Sequence, residues 1–293
     1  MARTMNTPQQ EDIRHVPVST HQRGSSFPVR RMDFEFDGLQ LYFVNGDPAS
    51  SFFFTSFQAF FPEGEQFFVD SVRDAQPFVS DERLLKEISA FIGQESMHGK
   101  EHKTANEELR RQGINVFGLD AKARWTRKRL NKILPLKMRL AGTAAVEHYT
   151  AVLAEYIMKT KEFEHLIQDP KVKSLIYWHA MEESEHRSVA FDVYKHVGGG
   201  YILRAVAMAI VSVLILPVIM SGMYSIMKQD GQLTNWKSWG RFAKTYFGRK
   251  GIVTALVPDL LLYFKPSFHP MDSDMDAAMV EWKERLGLNP SAA

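Results

Sequence analysis

An all-α fold is what the sequence predicts: a bundle of four long helices followed by further helices. Three observations carry the prediction. Apolar residues recur at helical spacing through most of residues 50–197, strand signals are few, and a lone Glu followed by a Glu-x-x-His tetrapeptide occurs twice along the chain. With 293 residues, 45% hydrophobic and 24% charged, the chain is long enough for a sizeable core and too apolar to be disordered. Lys and Arg number 36 against 34 Asp and Glu, so charge gives no argument for nucleic acid. The absence of cysteine excludes disulfides, thiolate zinc sites, iron–sulfur clusters and cysteine nucleophiles, and fits a reducing compartment. Any metal must be held by histidines or oxygen donors.

Residues 1–31 are polar, contain Pro8, Pro17 and Pro28, and lack an apolar run of signal-peptide length; they read as a flexible leader into a cytoplasmic protein. Residues 39–44 read as a short strand or an extended entry, ended by the turn Asn45-Gly46-Asp47-Pro48. From 50 to 75, Phe53, Phe57, Phe60, Phe61, Phe68 and Val72 mark a helix, with Pro62 and Gly64 predicting a kink or a start within it. A second helix spans 81–112, entered at Ser80-Asp81 and closed by Gly113. A short basic helix covers 121–134; residues 122–139 hold eight Lys or Arg and no acid, a stretch suited to solvent or to anionic lipid headgroups. A long helix spans 136–167. Asp169-Pro170 opens the next, which runs to about 197 and stops at Gly198-Gly199-Gly200.

The segment 201–227 differs in kind. From 205 to 223 nineteen residues carry no charge, a length that suits either a membrane-attached helix or a buried fifth helix. A further apolar stretch, 252–264, is broken by Pro258-Asp259 and is too short to span. A short amphipathic helix is expected over 275–286.

The chemistry lies in the two-fold pattern of acids and histidines. Glu65 precedes Glu95 and His98; Glu147 precedes Glu183 and His186, with gaps from lone to paired Glu of 30 and 36 residues. Each gap is about one helix, a turn and half of an antiparallel partner, so both ligand groups fall at one height. On a helix, residues i and i+3 share a face, so Glu and His at that offset can hold one ion together. Four carboxylates in one core repel each other and lose hydration, and two divalent cations answer both costs. This is the pattern of ferritin-like di-metal carboxylate bundles. His179 stands four residues before Glu183 on the same face and is a further ligand candidate. His102 is expected to orient the ligands or to be a weak ligand itself, and His148, Tyr149 and Asp192 are expected to orient the ligands. Glu182 and Glu185 are expected to face solvent or partners.

At these residues the chain resembles a bacterial family catalogued as predicted metal-dependent hydrolases. The stretches that carry it are Phe61-Pro-Glu-Gly-Glu65-Gln-Phe-Phe68, Gln94-Glu-Ser-Met-His98 with His102, Glu147-His148, His179-Ala-Met-Glu-Glu183-Ser-Glu-His186 and Tyr263-Phe-Lys-Pro-Ser-Phe-His-Pro270. The order Glu65, Glu95, His98, Glu147, His179, Glu183, His186 is also similar to the ligand order of ferritin-like di-iron N-oxygenases acting on aryl amines, which implies that His179 is a ligand.

The domain reading is therefore a leader at 1–31, a ferritin-like di-metal bundle at 32–200, and an apolar helical segment with a tail packed on the bundle at 201–293. The expected cofactor is two metal ions, iron first and manganese or zinc as alternatives. The leading expectation is an O2-activating oxidase or oxygenase on a small hydrophobic substrate. A two-metal hydrolase of esters or phosphoesters is the second reading, and a non-enzymatic metal-binding protein the third. An electron donor, a membrane surface reached through 201–227 and a second copy of the chain are candidate partners. No P-loop, dinucleotide fingerprint, serine-triad motif or nucleic-acid motif is present.

Overall fold

A computed structural model of the chain describes residues 27–288, and the regular structure among them is entirely helical. Eleven α-helices follow in order among the described residues: α1 Pro48–Ala75, α2 Glu82–Arg111, α3 Phe117–Ile133, α4 Leu136–Lys159, α5 Lys161–Leu166, α6 Pro170–His186, α7 Val189–His196, α8 Tyr201–Gln229, α9 Trp236–Phe247, α10 Ile252–Leu262 and α11 Asp276–Arg285. Their starts follow from local chemistry. Asp47, Asp81 and Asp169 each accept hydrogen bonds from backbone N–H groups of the first turn, and Pro48 and Pro170 occupy positions where a missing N–H costs nothing.

Several expectations need correction. The strand expected over 39–44 is a single antiparallel bridge, Val44 to Ile167, because no second strand lies beside it. Pro62 neither starts nor ends α1, which runs through it. The basic helix starts earlier, at Phe117. The helix expected over 136–167 breaks at Thr160, and the one from 170 to 197 breaks at Arg187–Ser188. Residues 1–26 of the expected leader lie outside the described residues. Of the remainder, Arg30 is buried and paired with acids of α6, so 27–31 belong to the packed domain.

Helices α1, α2, α4 and α6 pack against one another and surround one layer of polar residues. Two apolar clusters sandwich that layer. On α1 one cluster includes Ala59 and the other begins at Phe68; on α2 the corresponding residues are Ala105 and Phe91, and on α4 Ala154 and Ala145. The polar layer is thus a slice through an apolar bundle, dry on both sides. Helix α8 lies along α1 and α4, with Met208, Ile219, Met223 and Ile226 facing inward. Its outer face is bare. Of its most apolar eighteen-residue stretch only 17% is buried, and it alone among the described helices is long and apolar enough to cross a membrane.

Candidate metal centre

All seven sequence-predicted ligands meet in the polar layer, and His102 joins them. Their ligand atoms form four overlapping buried triads, in each of which the atoms lie within 4.8 Å of one another: Glu65, His102 and His179; His98, His179 and Glu183; Glu65, Glu95 and His98; and Glu95, Glu147 and His186. Glu65 comes from α1, Glu95, His98 and His102 from α2, Glu147 from α4, and the rest from α6. Gly99 lets α1 approach α2 here, since a Cβ at that position would stand 3.3 Å from a Glu65 carboxylate oxygen.

Hydrogen bonds around the layer orient two of the imidazoles. His186 Nδ1 is 2.9 Å from Gln94 Oε1, and the Gln94 amide nitrogen donates to Pro28 O and to Glu185. The amide is thereby fixed with its oxygen toward His186, so His186 Nδ1 carries the proton. The other nitrogen, Nε2, faces Glu95 at 3.0 Å and Glu147 and Glu183 at 3.6 Å. His98 repeats the arrangement with its ring reversed. Its Nε2 lies 3.1 Å from Glu182, which Arg30 holds at 2.9 Å, and its Nδ1 faces Glu95 at 3.5 Å and Glu183 at 3.8 Å. Thr150 donates to Glu183 at 2.6 Å, and His179 Nε2 lies 2.8 Å from the other Glu183 oxygen. His179 Nδ1 and His102 Nε2 are 2.6 Å apart, with Phe61 stacked on His102.

The electrostatics are those of a cation site. Both oxygens of Glu65, Glu95 and Glu147 are buried without a hydrogen-bond partner, as are His98 Nδ1 and His186 Nε2. Burial, reinforced by neighbouring carboxylates, raises Glu65 and Glu147 well above the usual carboxylate range. Burial also opposes ionisation of Glu95 and Glu183, but the imidazoles beside them outweigh it and both are lowered. Burial alone would lower His98; Glu182 and Glu95 outweigh it and push it up to about 10. His102 and His179 are lowered, by burial first and then by their imidazole neighbours. Leaving a carboxylate in such a place without counter-charge costs several kcal/mol by general estimate, roughly what a coordinated cation would recover. The unpaired donor atoms, their mixed carboxylate and imidazole chemistry and their spacing fit divalent ions.

Glu182 and Glu185, expected to face solvent or partners, are parts of this support, Glu182 buried and Glu185 half-buried. Glu185 pairs with Arg30 and with Lys283 at 2.7 Å each. Three residues expected to orient ligands do so for none. His148 bonds the Asp259 carbonyl, Tyr149 donates to Ser212, and Asp192 pairs with His269. A position next to a ligand on a helix points about 100° away, which takes His148 out of the layer. Gln94, Thr150 and Arg30 were missed. Gln94 stands four residues before His98 and Thr150 three after Glu147, spacings that place each on a ligand's face; Arg30 left no such signal.

A model of the family described as predicted metal-dependent hydrolase matches residues 28–274. The chain belongs to that family. No curated protein and no solved structure matches it. The matched span covers every residue of the polar layer in this metal-dependent hydrolase relative, from Arg30 to His186, and the whole of α8–α10.

Proposed function

We propose that the chain is a metalloenzyme whose working centre is a pair of divalent ions held by Glu65, Glu95, His98, Glu147, His179, Glu183 and His186. The observation that carries this is the set of six carboxylate oxygens and two imidazole nitrogens, all buried without a hydrogen-bond partner and gathered in one layer. Four carboxylates balance two divalent charges. Bound ions would supply Lewis acidity toward a carbonyl or phosphoryl oxygen and activate water. The family description favours hydrolysis, and we take an ester or phosphoester as the substrate and zinc or manganese as the ion.

The protein's own contribution is position and dryness. Gln94 and Glu182 hold the His186 and His98 rings, and Thr150 holds Glu183. A cavity of about 40 Å³ reaches the centre on one side, at His102, Thr150, His179 and Glu183, and its other walls are apolar, among them Phe57, Phe61 and Leu153. A substrate carbon therefore meets the centre from an apolar side, past the His102 imidazole that burial keeps neutral. This dry entrance favours a second reading, an iron-dependent oxidase or oxygenase acting on an apolar substrate with O2. We also propose that the bare face of α8 rests on a membrane surface.

Elemental analysis of protein purified without added metal tests the centre. About two ions per chain are expected, and fewer than half as many in Glu95→Ala and Glu183→Ala. Full metal content in Glu183→Ala would overturn the assignment. Zinc or manganese with esterase or phosphodiesterase turnover supports hydrolysis; iron with substrate-dependent oxygen uptake supports the second reading.

A further inference from the structure

Three cavities adjoin one another between the polar layer and helices α9 and α10. The first is the small one at the metal centre. The second, about 110 Å³, is wholly apolar in its walls apart from tyrosine hydroxyls, and it shares Phe54, Phe57 and Leu153 with the first. Ile215, Leu216 and Ile219 of α8 and Leu256 of α10 close it on the outer side. The third, about 660 Å³, shares Ile252 with the second and opens toward solvent beside α9. Its lining changes character. Arg241, Lys244, Arg249 and Lys250 stand there against the acids Asp47 and Glu162. Arg241 is paired with Asp47, while Lys244, Arg249 and Lys250 make no ion pair among the described residues. The order is thus cationic mouth, apolar chamber, metal-side pocket.

We propose that the substrate is an anionic amphiphile, its carboxylate or phosphate head held at Lys244, Arg249 and Lys250 and its hydrocarbon chain laid through the apolar chamber toward Glu183 and His179. The proposal deepens the reading of the centre as an enzyme and rests on it for what happens to the chain, but binding itself needs no metal. Neither half of the path explains itself alone. An apolar cavity against α8 and α10 has no use for a cationic mouth, and a cluster of surface cations has no use for a dry chamber behind it. An amphiphile uses both. The order also sets which part reacts: the head stays farthest from the centre, so the bond acted on lies along the chain or at its far end.

Calorimetric titration of the full-length protein, metal-free and metal-loaded, tests this with saturated fatty acids from octanoate to hexadecanoate and with the matching alcohols. Affinity of the acids should rise about fourfold per added methylene until the chamber is filled, and each acid should bind about tenfold or more tightly than its alcohol. The exposed triple variant Lys244→Glu, Arg249→Glu, Lys250→Glu should erase the advantage of acid over alcohol and leave alcohol binding intact. Leu153→Trp and Ile215→Trp, two separate plugs in the chamber, should each flatten the dependence on chain length; retained melting temperature shows that a plugged variant is folded. The proposal is overturned if neither acids nor alcohols bind, if the charge reversal weakens both alike, or if acetate or inorganic phosphate binds as tightly as dodecanoate, which would mark a free-anion site. Chain binding to metal-free protein with no turnover on loading would sink the enzymatic reading alone; metal loading and turnover without chain binding would sink this one alone.

Discussion

Gln94 decides which nitrogen of His186 faces the carboxylates. Its amide nitrogen is committed to Pro28 O and Glu185, so its oxygen can only accept, and His186 must donate from Nδ1. Replacing Gln94 with Leu removes that acceptor while keeping most of the volume. The His186 ring is then free to rotate or to change tautomer, and metal affinity should fall about 10–100-fold by chelator competition, as for other orienting partners of metal-bound histidines. Unchanged affinity would show that helix packing alone holds the ring. Glu182 does the same for His98, and its own charge is held by Arg30, 152 residues away. That distance explains what the sequence left illegible at this scale. The seven ligands could be found because their types and spacings carry the chemistry. Glu182 and Glu185 were misread as outward because a helix viewed alone shows them off the ligand face, and their cover comes from the distant Arg30 and, for Glu185, Lys283.

Among the elements, Asp47-Pro48 reads as a turn and in fact opens α1, whereas the Asp81 cap of α2 and the Asp169-Pro170 start of α6 were legible because they are local. The breaks at Thr160 and at Arg187–Ser188 were not, since no Gly or Pro marks them and both lie where tertiary contacts turn the chain. At the first, the Val44 to Ile167 bridge ties α5 to the entry segment. At the second, the Arg187 guanidinium bonds the carbonyls of Pro270 and Ser273 in the C-terminal tail. Helix α8 is placed by a feature of another kind. A Cβ on Gly222 would stand 2.2 Å from Ser56 Oγ, so α8 meets α1 at a distance only glycine permits there, and Ser56 donates to the Ile219 carbonyl at the same crossing. Gly222→Val should therefore cost about 1–3 kcal/mol in chemical denaturation. It should leave two ions per chain, because the crossing lies outside the polar layer. A variant as stable as wild type would mean that the helices shift apart without penalty.

At the scale of the whole molecule, the unexplained surface is the outer face of α8. Ile202, Val206, Ile210, Val213, Leu214 and Val218 recur there at helical spacing, all exposed, and Val257 and Leu261 of α10 are exposed as well. A patch this apolar is uncommon on a monomer in water. Spanning does not fit it. The inner face of α8 packs along α1 and α4, so a bilayer around α8 would also enclose part of the bundle that carries four carboxylates. On the interfacial seat proposed above, the apolar face would enter the acyl region, and exposed cations such as Lys237 and Lys244 of α9 would favour anionic headgroups. Sedimentation with vesicles checks this. Wild type should pellet with vesicles containing phosphatidylglycerol, less with pure phosphatidylcholine, and less again in high salt. Val206→Asp combined with Val213→Asp should stay in the supernatant with its two ions retained, since both side chains are exposed and neither touches the polar layer. Wild type that ignores every vesicle but forms a dimer, with that dimer lost in the double variant, would assign the face to a second copy of the chain instead.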